Sequence, residues 1–153
     1  KSTFVTVDST GDAGPYSSIT IGRDGKPIIA YYDKTNGDLK FAKCSDSICS
    51  ARVLLTTVDS TGDVGLYNAV AVGSDGDPII AYYDKTNGDL KFAKCDNSDC
   101  SSDVIITTID SPGDVGRYIS IDVDTDGKPI ISYFDFTEKR LKLAKCHNVV
   151  CSR

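Results

Sequence analysis

Three tyrosines, Tyr16, Tyr67 and Tyr118, recur 51 residues apart, each just after a glycine-containing loop. A tyrosine offers a flat apolar face and a hydroxyl, the combination that stacks on a sugar ring and still hydrogen-bonds. These three are the first candidates for contact with a ligand. Acidic residues surround them in the same rhythm: Asp8, Asp12, Asp33 and Asp38 return as Asp59, Asp63, Asp84 and Asp89. Carboxylates mixed with loop carbonyls are what calcium coordinates, so these eight are candidate metal ligands. Asp, Asn and Gly are equally the residues that tight turns demand, and turn chemistry alone accounts for every one of these positions.

Other constellations are weaker. Asp122, Asp124, Asp126 and Gly127 imitate the start of an EF-hand loop, but its twelfth position is Tyr133 where a bidentate Glu is needed. The paired aromatics Tyr31/Tyr32, Tyr82/Tyr83 and Tyr133/Phe134 read as core more readily than as a sugar platform. A Ser-His-Asp arrangement would have to use His147, the single histidine, which lies inside a short cysteine loop. The inventory therefore points away from an enzyme.

The six cysteines fall in three equal spacings, Cys44/Cys49, Cys95/Cys100 and Cys146/Cys151. Each pair brackets a short polar loop between strand-like runs, which brings the two side chains within disulfide reach. A zinc site would want tighter spacing and more histidine. Three local disulfides imply an oxidising, secreted or extracellular setting. The 153 residues carry a net charge of −5 and a pI near 4.7. That argues against a nucleic-acid partner, because phosphate binding needs a basic surface. No apolar run approaches the roughly 20 residues of a membrane-spanning helix, so no membrane partner is expected. Lys1, without an initiator Met or a signal peptide, reads as a processed or artificial start.

The elements that must position these residues come from repetition. Asp8, Asp59 and Asp110 align the whole chain at a constant offset of 51 residues, giving repeats of about 1–51, 52–102 and 103–153. Thirty of 42 positions are identical between Asp8–Cys49 and Asp59–Cys100, and PIIAYYDKTNGDLKFAKC occurs twice unchanged. Repeats of this length mark solenoids, propellers or arrays. Each contains four predicted strands: Ser17–Gly22, Ile28–Asp33, Leu39–Cys44 and Val53–Val58 in the first. Asn68–Gly73 and Ile119–Asp124 are the later copies of the first strand. Asn36-Gly37 between the second and third strands is a strong hairpin signal. IIAYY is apolar on both faces, as in a strand held between neighbouring sheets. LKFAKC alternates and is expected nearer an edge.

Four strands per 40–50 residues, with inner strands buried on both faces, predict an all-β fold of β-propeller blades. A parallel β-helix would want shorter coils and fewer hairpins. Thr3–Val7 matches the fourth strand of a repeat, whereas the third repeat reaches Cys151 without one. The expectation is half of a six-bladed propeller, with the outer strand of the last blade supplied by an N-terminal strand of another copy. A homodimer would then close the ring.

The pattern DSTGDVG, Tyr, DG-P-I-I and YYDKTNGDLKFAKC resembles the sialidase-like, or BNR-like, β-propeller repeats of secreted bacterial proteins. The resemblance covers all three repeats and implies the propeller fold. For a true sialidase it would also imply an arginine triad and a Tyr/Glu nucleophile pair. The chain has Arg23, Arg52, Arg117, Arg140 and Arg153, scattered over the repeats, and Glu138 is its only glutamate. The functional expectation is a non-enzymatic extracellular binding module, lectin-like in logic, calcium-assisted or not, with glycan and a second copy of itself as partners. A structural propeller scaffold without a small ligand is the alternative, and a sialidase-like hydrolase the third reading.

Overall fold

A computed structural model describes residues 2–152; Lys1 and Arg153 lie outside the described residues. Eleven strands and no helix are found among them. The first repeat forms β1 (Ala13–Ile21), β2 (Pro27–Asp33), β3 (Asp38–Cys44) and β4 (Val53–Asp59). The second forms β5 (Val64–Val72), β6 (Pro78–Asp84), β7 (Asp89–Cys95) and β8 (Val104–Asp110). The third forms β9 (Val115–Val123), β10 (Pro129–Asp135) and β11 (Arg140–Lys145). Each repeat is an antiparallel sheet whose strands neighbour one another in chain order, four-stranded in the first two and three-stranded in the last. Thr3–Val7, expected as a strand, belongs to no sheet within the chain, and Phe4 is 91% exposed.

Local chemistry fixes the hairpins. The Asp24-Gly25 turn closes with Gly25 N–H donating to the Gly22 carbonyl at 2.9 Å, with Gly25 at φ +74°. The Asn-Gly signal gives a hairpin, but not a two-residue turn. Asp33 and Asp38 face each other across four loop residues. Asp33 caps that loop by accepting Thr35 N–H at 3.0 Å and the Asn36 side-chain amide at 2.8 Å. Gly37, at φ +76°, then donates to the Asp33 carbonyl. The disulfides form as expected, Cys44–Cys49, Cys95–Cys100 and Cys146–Cys151, with Cα atoms 4.9–5.0 Å apart.

The sheets pack face to face in succession. β5 lies across β1, β2 and β3, and β9 lies across β5, β6 and β7. One core layer joins Ile28, Leu39 and Phe41 to Val64, Val70, Ile80 and Tyr82. The next joins Ile79, Leu90 and Phe92 to Val115, Ile131 and Tyr133. LKFAKC stands third of four in its sheet, next to the outer strand as expected, but β7 is buried on both faces, lysines included. Alternation misleads here because the lysines of β7 are ion-paired rather than solvated. Lys91 lies 2.7 Å from Asp59 and Lys94 lies 2.9 Å from Asp75.

Candidate functional site

The inner strands are longer than expected, beginning at Ala13, Val64 and Val115, because a bulge interrupts each one near its tyrosine. Tyr16, Tyr67 and Tyr118 therefore lie within the strands rather than before them. All three adopt a left-handed backbone, each at φ +52°. That region costs an L-residue roughly 1–2 kcal/mol and is normally left to glycine. Here it turns each ring off its own sheet and toward its counterpart. Tyr16 and Tyr67 have ring centroids 4.7 Å apart, and Tyr67 and Tyr118 are 4.8 Å apart. The three tyrosines that sequence spacing nominated thus form one continuous row across three sheets.

A second rank of aromatics supports the row. Tyr32 meets Tyr16 edge-on at 6.4 Å, Tyr83 meets Tyr67 at 5.9 Å, and Phe134 meets Tyr118 at 6.3 Å. Asn68 locks the backbone beneath: its amide donates to the carbonyls of Tyr16 and Gly65, and its oxygen accepts the Ser18 hydroxyl at 2.7 Å. Burial, then the neighbouring phenol of Tyr16, pushes the Tyr67 hydroxyl up to about 12. The Tyr67 hydroxyl consequently stays neutral over the working range, and the row presents apolar faces and polar tips. Tyr16 is nearly half exposed and Tyr118 is 70% exposed.

Charged residues edge the row. Lys85 holds Asp63 at 2.7 Å, and Lys34 holds Asp12 at 3.2 Å. Arg117 pairs with Asp114 at 2.5 Å while its guanidinium lies 4.2 Å from the Phe136 ring and 5.4 Å from the Tyr83 ring. Arg117 and Phe136 were not among the sequence candidates. They break the repeat pattern, standing where the other copies have Pro15 or Leu66 and Lys34 or Lys85, and that break was the available signal.

The acidic candidates separate into four environments. Asp8 and Asp59 each accept a tyrosine hydroxyl at 2.7 Å, from Tyr31 and Tyr82, with Lys40 and Lys91 close by. Asp12 and Asp63 tie the loops through their backbones: their N–H groups donate to the Thr35 and Thr86 hydroxyls, and their carbonyls accept Lys34 and Lys85 N–H. Tyr32 also donates to Asp63 at 2.7 Å. Asp33 and Asp84 cap the hairpin loops. Asp38 and Asp89 have carboxyls raised by burial and by Asp33 and Asp84 beside them. Loops of successive sheets do share one rim, since Val64 N–H donates to the Gly37 carbonyl and Val115 N–H to that of Gly88. No group of three His, Cys, Asp or Glu side chains with metal-binding geometry is formed among the described residues. In the EF-hand-like stretch, Asp124 accepts Asp126 N–H and Lys128 N–H, which is turn capping.

No protein-family model matches the sequence, and no curated protein shows significant similarity to it. Solved structures of propeller-type fold do resemble it. A fucose lectin from Kordia zhangzhouensis, solved with methyl-fucoside, aligns with TM-score 0.51 at 13% identity, over 86% of this chain and 98% of the lectin chain. An α-L-arabinofuranosidase from Lactobacillus brevis aligns with TM-score 0.56 at 13% identity, over 88% of this chain and 50% of that one. A thermostable family-43 glycoside hydrolase aligns with TM-score 0.54 at 14% identity, over 97% and 53%. This chain spans about half the length of the two hydrolase chains and matches nearly the whole length of the lectin chain. At such identities the likeness is one of fold.

Proposed function

We propose that this protein is a non-enzymatic, extracellular carbohydrate-binding module whose sugar contacts come from the row Tyr16, Tyr67 and Tyr118. One observation carries the reading: three tyrosines held in a backbone conformation that glycine would adopt without strain. Strain of this kind persists where a side chain has a task that the surrounding structure enforces. Rings with hydroxyl tips and partly open faces suit a sugar, whose C–H faces stack on aromatics while its hydroxyls seek donors and acceptors. The fold supports the reading by analogy, since a lectin of similar chain length has it. The three disulfides support a secreted setting.

The module is half of a six-bladed propeller, and two copies complete the ring. Repetition of weak sites around a ring raises avidity without any new contact. Turnover is not expected, because the acids that edge the row, Asp12, Asp63 and Asp114, are each held in an ion pair by Lys34, Lys85 and Arg117. A glycan array probed with the wild-type chain and with Tyr67→Gly tests the proposal. Glycine keeps the left-handed backbone and removes only the ring. Binding by the wild type that is lost in the variant, with an unchanged circular-dichroism spectrum, is the expected result. Equal binding by both places the sugar elsewhere, and hydrolysis of a fluorogenic glycoside would return the protein to the enzymes.

A further inference from the structure

We propose that the two open faces of this chain close on each other in a second copy, so that the tyrosine row becomes a six-membered collar which a single chain only half builds. The inference rests on the ring reading above and specifies its seam. Within the chain, the face carrying Leu39 and Phe41 is covered by β5, and the face carrying Leu90 and Phe92 by β9. The third copy of that face carries Leu141 and Leu143, and Leu141 is 80% exposed. The complementary face is open at the other end of the row of sheets. Val70 is buried against the preceding sheet, while its counterpart Ile19 is 64% exposed. Both halves of an interface used twice inside the chain are therefore present and unpaired.

The glycines record the missing partner. A Cβ on Gly65 would stand 2.8 Å from the Leu39 Cα, and one on Gly116 would stand 2.8 Å from that of Leu90. Each glycine exists to let the neighbouring sheet's leucine backbone pass. Gly14, at φ +109°, is the same position in the first repeat and has nothing within 4 Å. Leu141 of the partner subunit fits that void. By the same offset, Ala13 N–H would donate to the carbonyl of the partner subunit's Lys139, as Val64 does to Gly37 and Val115 to Gly88.

Asp8 sets the position of the first segment. Asp59 and Asp110, the last residues of β4 and β8, accept Tyr82 and Tyr133 hydroxyls from the following sheets. Asp8 accepts Tyr31 in the same way, so the residues before it already lie where a preceding sheet's fourth strand would run. β4 sets Leu54 against Lys43, Leu55 against Ala42 and Thr56 against Phe41. Shifted by one repeat, Phe4 falls opposite Ala144 and Val5 opposite Leu143 of the partner subunit.

The tyrosines limit the number of copies. Successive rings in the row are inclined by 59° and 54°. Equivalent rings cannot differ by more than the rotation between their sheets, so that rotation is at least 59°, and 360/59 allows at most about six sheets in a circle. The exposed Ile19 and Leu141 exclude closure by the three sheets of one chain. With three sheets per chain, two chains fill the circle. Tyr118 then stands beside Tyr16 of the partner subunit at both seams, and a sugar at the collar touches both copies.

Analytical ultracentrifugation of the 153-residue chain should give 2 × 16.4 = 32.8 kDa. Leu141→Arg alters a side chain that is exposed in the single chain, so the fold is retained and the species falls to 16.4 kDa. Oxidising a mixture of Phe4→Cys and Ala144→Cys chains should yield a covalent dimer that neither variant forms alone. A wild-type monomer, a larger ring, or a dimer indifferent to Leu141→Arg overturns the seam. Glycan binding that survives in the Leu141→Arg monomer overturns the collar as the binding unit. A dimer with the expected cross-link that binds no glycan supports the seam and removes the carbohydrate reading instead.

Discussion

Asp59, the last residue of the first sheet, accepts the Tyr82 hydroxyl of the second sheet at 2.7 Å while holding the Lys91 ammonium at the same distance. The carboxylate is buried and belongs to one sheet, whereas both partners belong to the next. Asp110 repeats the arrangement with Tyr133 and Lys142, and Asp8 with Tyr31 and Lys40. These ties bind one repeat to the following one at a fixed point along the strands. Removing one member leaves a buried charge without its partner.

Asp59→Ala should therefore destabilise the chain by about 3 kcal/mol, the lower end for a broken buried pair. Tyr82→Phe removes only one hydrogen bond to a charged acceptor and should cost about 2 kcal/mol. Urea unfolding of the two variants gives the comparison. A loss below 1 kcal/mol in Asp59→Ala would mean that water replaces the tie.

The same ties set the pH range. Burial opposes the charge on Asp59, but Lys91, Thr61 N–H and the Tyr82 hydroxyl outweigh it and hold the carboxyl below its ordinary value. Asp8 and Asp110 are lowered in the same manner. A lowered carboxyl stabilises the fold above its unfolded value of about 4, and that contribution disappears as pH falls below it. At the alkaline end, Tyr32 and Tyr67 are raised to about 12, chiefly by burial. Their contribution is complete below about pH 10 and is lost as pH rises through 12. Circular dichroism should show a plateau between these limits, and phenolate absorbance should lag behind that of free tyrosine.

Each disulfide closes a loop of sequence separation 5. So short a loop restricts the unfolded chain little, and replacing Cys95 and Cys100 by serine should cost about 2 kcal/mol. Non-reducing peptide mapping should recover three local links. A link between repeats would contradict the pairing.

Calcium decides between turn chemistry and a metal site on the acidic rim. Asp8, Asp59 and Asp63 already engage tyrosine and lysine partners. The melting temperature should consequently be the same in millimolar calcium and in EDTA. A rise with calcium, reversed by EDTA, would restore a metal site by mass action.

The sequence by itself determined the repeat, its strands and its cystine loops, because these depend on local spacing and turn chemistry. A 51-residue offset, an Asp-Gly turn and a Cys-x4-Cys loop look the same whether or not the sheets meet. It also nominated Tyr16, Tyr67 and Tyr118, since a repeated aromatic beside a glycine loop is visible without coordinates. The tertiary structure alone decided that these rings touch, because their left-handed backbone arises from a bulge whose register depends on the paired strand. It also assigned Asp59 to Tyr82 and Lys91, residues 23 and 32 positions away. The alternating β7 became a buried strand for the same reason: ion pairs contributed by other strands and turns neutralise lysines that the alternation alone would assign to solvent.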